Sequence, residues 1–395
     1  MRSSLDTPAT AAEPAPDAVL PGVRVALVHD WLTGMRGGEK VLEELCAMLP
    51  GAPIHTLFHI PGSVSPALES RSIRTTFLQD APLLRSRYRS YLPLFPLAIE
   101  QLELSDYDLV VSTSHCVAKG ARARAGAPHV CYCHTPMRYA WDQRDAYFPD
   151  RSGAVETVRH HILDALQGWD VRTASRVTDF VANSTFVRDR IRRYYDRDSI
   201  VVPPPVDLDY FRPAPGSIGA AEAARGSTGS PFALMVAALA PYKRVDDAIE
   251  ACARLDLELR IVGDGPERSR LESQAGASVR LLGQVSDEDL RELYRDAACL
   301  VQPGVEDFGI AAVEALACGC PVVAAGSGGV LDIVEDGVDG LLYPETDRVD
   351  GLKGCIDKAL GMHFNILNLR NRASRFSKGS FRERMRSVLS TTLER

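Results

Sequence analysis

No property of this sequence limits its fold more than a regular alternation of short β-branched runs with helix-length amphipathic stretches, broken once at Pro203-Pro204-Pro205. Val23 to Val28 reads as a buried strand, followed by a glycine-containing loop and a helix from about Glu39 to Leu49 that Pro50-Gly51 stops. Further strands are predicted over Ile54 to Phe58, Leu109 to Ser112, His129 to Cys133 and Asp179 to Ala182, with helices over Val155 to Arg176 and Ser184 to Tyr195. After the prolines, which fit neither a helix nor a central strand, the alternation resumes. Strands at Phe232 to Val236, Leu257 to Val262, Val279 to Leu282, Cys299 to Val301 and Val322 to Ala324 precede helices at Val245 to Leu255, Glu267 to Ala275, Asp287 to Asp296 and Ile310 to Cys318. Such alternation specifies parallel sheets covered on both faces. The expected class is α/β, with two tandem doubly wound, Rossmann-like domains and a ligand cleft between them.

The boundaries follow from the breaks. Residues 1–20, Ala/Pro-rich and without an apolar stretch of signal-peptide type, read as a disordered lead-in. The first domain is expected over 21–206 and the second over 207–363. The basic amphipathic tail 364–395 is expected to pack back on the first domain. Pro213 to Pro231, rich in Gly, Ser, Ala and Pro, reads as a surface loop. At 395 residues, with 45% hydrophobic and 25% charged, each domain can bury a core and general disorder is excluded. No apolar run reaches the roughly 20 residues of a membrane span. Net charge is −7, which argues against a nucleic-acid partner. It is unevenly spread: residues 1–206 carry 23 basic and 23 acidic side chains, the remainder 22 and 29. The nine cysteines include no C-x-x-C pair and sit mostly in apolar runs, the pattern of small hydrophobes in a reducing, cytoplasmic setting. No zinc-type spacing occurs.

The chemistry is concentrated at strand ends. Gln302-Pro303 ends a strand, a loop carries Glu306, and a helix starts near Gly309, with Glu314 inside it and Cys318-Gly319-Cys320-Pro321 after it. Unpaired N–H groups and a positive dipole end make that helix start a phosphate site. Either glutamate alone is explained as an ordinary helix residue; the complete string is not. Lys243, in Ala240-Pro241-Tyr242-Lys243-Arg244, follows the second domain's first strand. A flexible cation there suits a leaving diphosphate. Gly263-Asp264-Gly265 follows the next strand, where glycine permits close backbone approach to a ligand though alone it is a weak turn signal; Gly283-Gln284-Val285, after the strand beyond, is equally explained as a plain turn.

The Glu306 to Glu314 spacing resembles the E-x7-E element of retaining glycosyltransferases of the GT-B fold, specifically glycosyltransferase family 4. The likeness spans Val23 to Arg395 and is most specific from Lys243 to Val323. It implies transfer of a hexose from a nucleotide sugar with retained configuration. Lys243, Glu306 and His134 are then catalytic. Gly37, Gly38, Arg138, Arg244, Gly263, Gly265, Gln284, Val285, Asp307, Phe308, Gly309, Ile310 and Glu314 bind the donor, with Glu314 accepting from the ribose. Where the family has Gly-Arg-Leu, this chain has Ala237-Ala238-Leu239, so a second cation is expected from Arg244 or Arg138. The resemblance implies no metal and no bound cofactor. Asp207-Leu208-Asp209, beside the prolines, reads as turn chemistry and not as an Asp-x-Asp metal motif.

The Glu-Asp-Phe-Gly-Ile, Pro-Tyr-Lys-Arg and His-Asp-Trp-Leu wording looks like mannosyltransferases that use GDP-mannose in surface-polysaccharide or glycolipid assembly. A UDP-sugar donor and a non-catalytic GT-B scaffold remain alternatives. Arg71 to Leu97 carries five arginines against one aspartate, interleaved with aromatic and aliphatic residues. It suits either a lipid-linked acceptor at an anionic membrane face or plain packing on its own domain.

Overall fold

The computed structural model describes residues 20–142, 154–216 and 230–395. The start of the chain and most of the loop expected at Pro213 to Pro231 lie outside these residues. Two sheets form, and every neighbouring strand pair in both is parallel. The first contains β1 (Val25–His29), β2 (Ile54–Thr56), β3 (Ile73–Thr75), β4 (Leu109–Ser114), β5 (His129–Cys133), β6 (Asp179–Ala182) and β7 (Ser199–Val201), in the order 3-2-1-4-5-6-7. The second contains β8 (Phe232–Val236), β9 (Glu258–Val262), β10 (Val279–Gly283), β11 (Cys299–Gln302), β12 (Val322–Ala325) and β13 (Gly340–Tyr343), in the order 10-9-8-11-12-13. This is the expected α/β class.

Both orders reverse at one place, between β1 and β4 in the first sheet and between β8 and β11 in the second. At such a switch point the connections leave in opposite directions and open a crevice beyond the strands' C-terminal ends. His29 and Ser114 end the strands at the first crevice, Val236 and Gln302 at the second. The central strands β1, β4 and β5 are buried along their whole length. Alternate residues feed opposite layers: Val25 and Leu27 join Val41, Leu42 and Leu45, whereas Ala26 and Val28 join Phe58, Phe95 and Trp169.

The chain crosses between the lobes twice, and the crossings are hydrogen-bonded. Val206 N–H donates to Phe376 C=O at 2.9 Å, just after the proline run. The tail divides here, which corrects the expectation that all of 364–395 returns to the first domain. Helix Ile366–Ser374 buries Leu369 and Ala373 in the second lobe's core. Only helix Lys378–Leu393 reaches back, burying Phe381, Met385, Val388 and Leu389 against the first sheet. Arg382 Nε pairs there with Glu44 at 2.8 Å. Asp207 accepts from Tyr210 N–H at 3.0 Å and from Lys378 Nζ at 2.6 Å, so it builds the turn at this crossing.

Boundaries shift modestly. The first helix is Gly37–Met48, not Glu39 to Leu49, because Arg36 N–H donates to the Glu39 side chain at 3.0 Å in a capping arrangement. Gly37 and Gly38 thus lie in its first turn. Strands β3 and β7, and the short helical turns between Phe77 and Glu100, were not anticipated.

The Gly-Asp-Gly motif has a packing role. Gly263 sits at φ +130°, and a β-carbon there would lie 2.0 Å from the Ala237 carbonyl oxygen. One on Gly265 would lie 2.4 Å from the Leu239 carbonyl oxygen. The close approach that these glycines allow is made by the 237–239 segment itself, which corrects the reading that the approaching group is a ligand. Gly263→Ala is expected to destabilise the second lobe by about 2–4 kcal/mol, because both backbone strain and a clash with main chain must be accommodated. Urea unfolding read by tryptophan-independent circular dichroism measures it; a midpoint within experimental scatter of the parent would contradict it.

Candidate active site

The second lobe's switch point brings Lys243 and Glu306 together as an ion pair. Lys243 ends the single turn Pro241–Lys243 beyond β8, and Glu306 lies in the loop beyond β11. That loop can approach because residue 304 is glycine: a β-carbon there would stand 2.5 Å from the Tyr242 carbonyl oxygen. Burial alone would raise the Glu306 carboxyl, but the Lys243 ammonium and the Arg138 guanidinium hold it below the usual carboxylate range. Gly309, at φ +98°, caps helix Ile310–Ala317, so the first turn's N–H groups open beside Glu306.

Arg138 comes from the first lobe and adds a second positive charge beside this pair. Its Nε and Nη2 lie 2.8 and 2.6 Å from Asp307 Oδ2. The guanidinium also stacks 5.1 Å from the Tyr242 ring centroid, and Lys243 Nζ lies 5.0 Å from the same ring. Arg244 is not part of this group. It caps the next helix with φ +52° and pairs with Glu345 at 2.8 Å, which corrects the expectation that it replaces the family's arginine.

Other residues singled out from the sequence divide. Gly37 packs against the second lobe: a β-carbon would touch Ile310 Cδ1 at 3.4 Å. One on Gly38 would stand 3.5 Å from His134 Nε2 and 3.6 Å from the His29 ring. The glycine pair therefore lets the helix start close on two imidazoles and on the opposite lobe. His134 ends up neutral, since burial pushes it down to about 3 with His115 and His29 adding to the effect. Its Nε2 is buried with no partner among the described residues, as is Gln302 Oε1 on the opposite lobe. They are two of nine such side-chain atoms among the described residues, and these two lie at the strand ends where the lobes meet.

Glu314 is buried, and both its oxygens are engaged, by Lys40 Nζ of the first lobe at 2.9 Å and by Tyr294 OH at 3.0 Å. It is thus an interlobe tie, and a ribose reaches it only by displacing Lys40. Phe308 is core: it is buried and lies 5.5 Å from Phe376, ring to ring. Its expected place in the donor site is corrected accordingly. Gln284 is exposed, and with Val285 follows β10, the outermost strand, on the same edge of the sheet as Lys243 and Glu306.

Sequence reasoning missed most of the ties between the lobes. Thr135 Oγ1 donates to Asp307 Oδ1 at 3.2 Å, and Ser184 Oγ donates to the Asp307 carbonyl. Thr185 N–H and Oγ1 donate to the two Asp332 oxygens at 2.7 and 2.6 Å. The only local signal was Ser184 as a helix cap, which it also is, accepting from Val187 N–H at 3.1 Å. A separate cavity of about 430 Å³ opens in the first lobe, lined by His59, Gln79, Leu83 and Arg85 among others. Leu32 N–H donates to Phe58 C=O at 3.0 Å, joining its wall to the glycine loop.

Comparison with known proteins supplies the context for this geometry. The family described as Glycosyl transferases group 1 matches residues 221–379, and Glycosyltransferase Family 4 matches residues 35–210. A D-inositol 3-phosphate glycosyltransferase of Saccharomonospora viridis is 32% identical over 358 residues, covering 79% of each chain. One of Mycobacterium bovis is 40% identical over 158 residues, spanning about a third of that protein. Among solved structures, Anabaena HepE in complex with UDP-glucose superimposes with TM-score 0.67 at 20% identity, covering 93% of this chain and 99% of that one. Sucrose-phosphate synthase from Thermosynechococcus elongatus gives 0.70 at 20% identity over 93% and 98%. These two share the two-lobed fold.

Proposed function

The chain belongs to the group 1, family 4 glycosyltransferases, and from that premise we propose that it moves mannose from GDP-mannose to a lipid-linked saccharide, with retained configuration. The observation that supports a nucleotide diphosphate donor is the facing of two cation–carboxylate pairs, Lys243–Glu306 and Arg138–Asp307, where the lobes meet. A nucleotide diphosphate entering between them exchanges partners. Its oxygens take Lys243, Arg138 and the N–H groups behind Gly309, and the released carboxylates are free for sugar hydroxyls.

As the bond from the sugar's anomeric carbon to the diphosphate oxygen breaks, charge grows on the diphosphate. Fixed cations and helix N–H groups in a partly dry site meet that charge at little reorganisation cost. His134, neutral and with Nε2 unpaired, accepts or donates to the sugar. Glu306 holds its hydroxyls. No metal has a step in this scheme.

The acceptor is assigned to the first lobe and to a membrane face. Phe77, Leu83, Leu94 and Leu97 are exposed there, and Arg74, Arg85, Arg87 and Arg89 are exposed among them. Arginines beside insertable apolar side chains suit anionic headgroups. Nine free thiols, eight of them buried, fit the cytoplasmic side of that membrane. Among the described residues no helix is long and apolar enough to cross a membrane, so contact is peripheral in this reading. A second reading, a UDP-sugar donor and a phosphorylated acceptor, is favoured by the relatives' inositol-phosphate name and by HepE's bound UDP-glucose.

A thermal-shift panel of GDP, UDP, ADP and their sugars separates the two, because a ligand stabilises the folded state in proportion to its affinity. GDP-mannose is expected to give the largest shift; a larger shift with any UDP sugar selects the second reading. Arg138→Ala is expected to weaken nucleotide diphosphate binding about tenfold or more, the loss of a charge-assisted contact. Unchanged affinity by calorimetry would remove Arg138 from the site.

A further inference from the structure

The first sheet has its own switch point, and the residues that extend β1 and β4 across it are Asp30 and His115. They are joined. Asp30 is fully buried, and its carboxylate accepts the backbone N–H groups of His115, Cys116, Val117 and Ala118 at 2.7–2.9 Å. His115 Nδ1 lies 2.9 Å from the same carboxylate. Five donors fix Asp30 in one position, and Asp30 in turn fixes the imidazole. Trp31 stands edge-on to that imidazole, ring centroids 4.6 Å apart, and is itself held against Phe58, Tyr88 and Phe95. The imidazole is nevertheless 34% exposed, whereas its carboxylate partner is sealed. A ring oriented from beneath and open above is built to meet something.

We propose that His115, oriented by Asp30, holds the acceptor hydroxyl that attacks the donor sugar. The inference rests on the reading that the acceptor binds the first lobe. With Nδ1–H committed to Asp30, the neutral ring carries its lone pair on Nε2, which accepts the hydroxyl's hydrogen bond. The balance is complete. On the face that the diphosphate leaves, the acceptor oxygen bonds to the anomeric carbon once that carbon's bond to the diphosphate oxygen has largely broken, so configuration is retained. The bonding pair stays on the diphosphate, and the hydroxyl proton passes to Nε2 and then to solvent.

Titratable or charged groups face His115 from each neighbouring element: Asp30 below, His29 with its ring centroid 6.5 Å away, Arg36 and Glu39 at the helix start, and His134 beyond β5. Burial lowers the imidazole's titration point, but Asp30 and Glu39 outweigh it, so His115 titrates above its ordinary 6.5. The neutral form therefore grows as pH rises through that point. Acceptor turnover is expected to rise along the same limb.

The test uses the full chain, the nucleotide sugar that the thermal-shift panel selects, and octyl hexosides as acceptors with water as the comparison. His115→Gln is expected to lower kcat about 100-fold, leave donor affinity within twofold, and abolish the acid limb. Millimolar imidazole is expected to restore His115→Ala several-fold. A variant with wild-type turnover, or one whose donor affinity falls as far as its turnover, overturns the proposal. A wild-type profile without an acid limb above pH 6.5 does so with no variant at all. Failure of the donor reading shows earlier and separately, in the ligand panel on the unmodified protein.

Discussion

Lys243→Ala is expected to reduce kcat/KM by about 10²–10³, the cost of removing one preorganised group from a developing negative charge. Two effects combine in that loss. The diphosphate loses its nearest point cation, and Glu306 is left with Arg138 as its remaining nearby positive charge. Binding and catalysis separate them. If Lys243 acts mainly as the charge departs, kcat falls more than donor affinity. If the Lys243–Glu306 pair serves only to hold the loops, the double variant Lys243→Ala/Glu306→Ala regains most of the activity that the single variant lost. That recovery, seen in steady-state rates with unchanged melting behaviour, would end the assignment of Lys243 to catalysis. Lys243→Arg is a sharper control, since the charge is kept while a bulkier planar head replaces a compact one in the contact with Glu306.

The second large effect concerns stability. Lys119 and Asp170 form an ion pair at 3.0 Å with both side chains nearly inaccessible. Lys119 Nζ also donates to Thr173 Oγ1 at 2.9 Å, and Asp170 Oδ2 accepts from Trp141 Nε1 at 2.9 Å and Tyr195 OH at 2.8 Å. Asp170→Asn is expected to destabilise the first lobe by about 3–5 kcal/mol, because it strands a buried ammonium. For a lobe of this size that lowers the melting temperature by roughly 10 °C. Lys119→Met/Asp170→Leu removes both charges and is expected to recover much of the loss. Calorimetry is the direct measurement; a single variant that melts with the parent would show that water reaches the pair.

How much was legible in the amino acids differs by element. The strands of both sheet centres were readable because they are buried on both faces and written as unbroken apolar runs. Phe77 to Glu100 was not, since helical turns of four to seven residues leave no period to detect and its aromatic residues serve core and surface alike. At the site, Lys243 and Glu306 were readable because each sits at a strand end within a few residues of a recognisable helix start. The second cation was left open between two candidates. Arg244 is adjacent to Lys243 in the chain, yet its left-handed backbone and Glu345 take it elsewhere. Arg138 is a hundred residues away and arrives only when the lobes meet.

The alternation of strand and helix, the break at the prolines and the chemistry at the strand ends were local properties, set by burial periodicity and by residues whose backbone preferences act over a few positions. They sufficed for two parallel sheets and for one half of the candidate site. Which carboxylate meets which cation was decided by packing alone. Lys40 with Glu314, Arg138 with Asp307, and Thr185 with Asp332 join residues 274, 169 and 147 positions apart. So was the joining of Asp30 to His115, 85 positions apart, across a switch point that exists only once β4 has paired with β1. Hydrogen bonds and charges act over a few ångströms, and only the closed arrangement of the two lobes brings such distant stretches within that range.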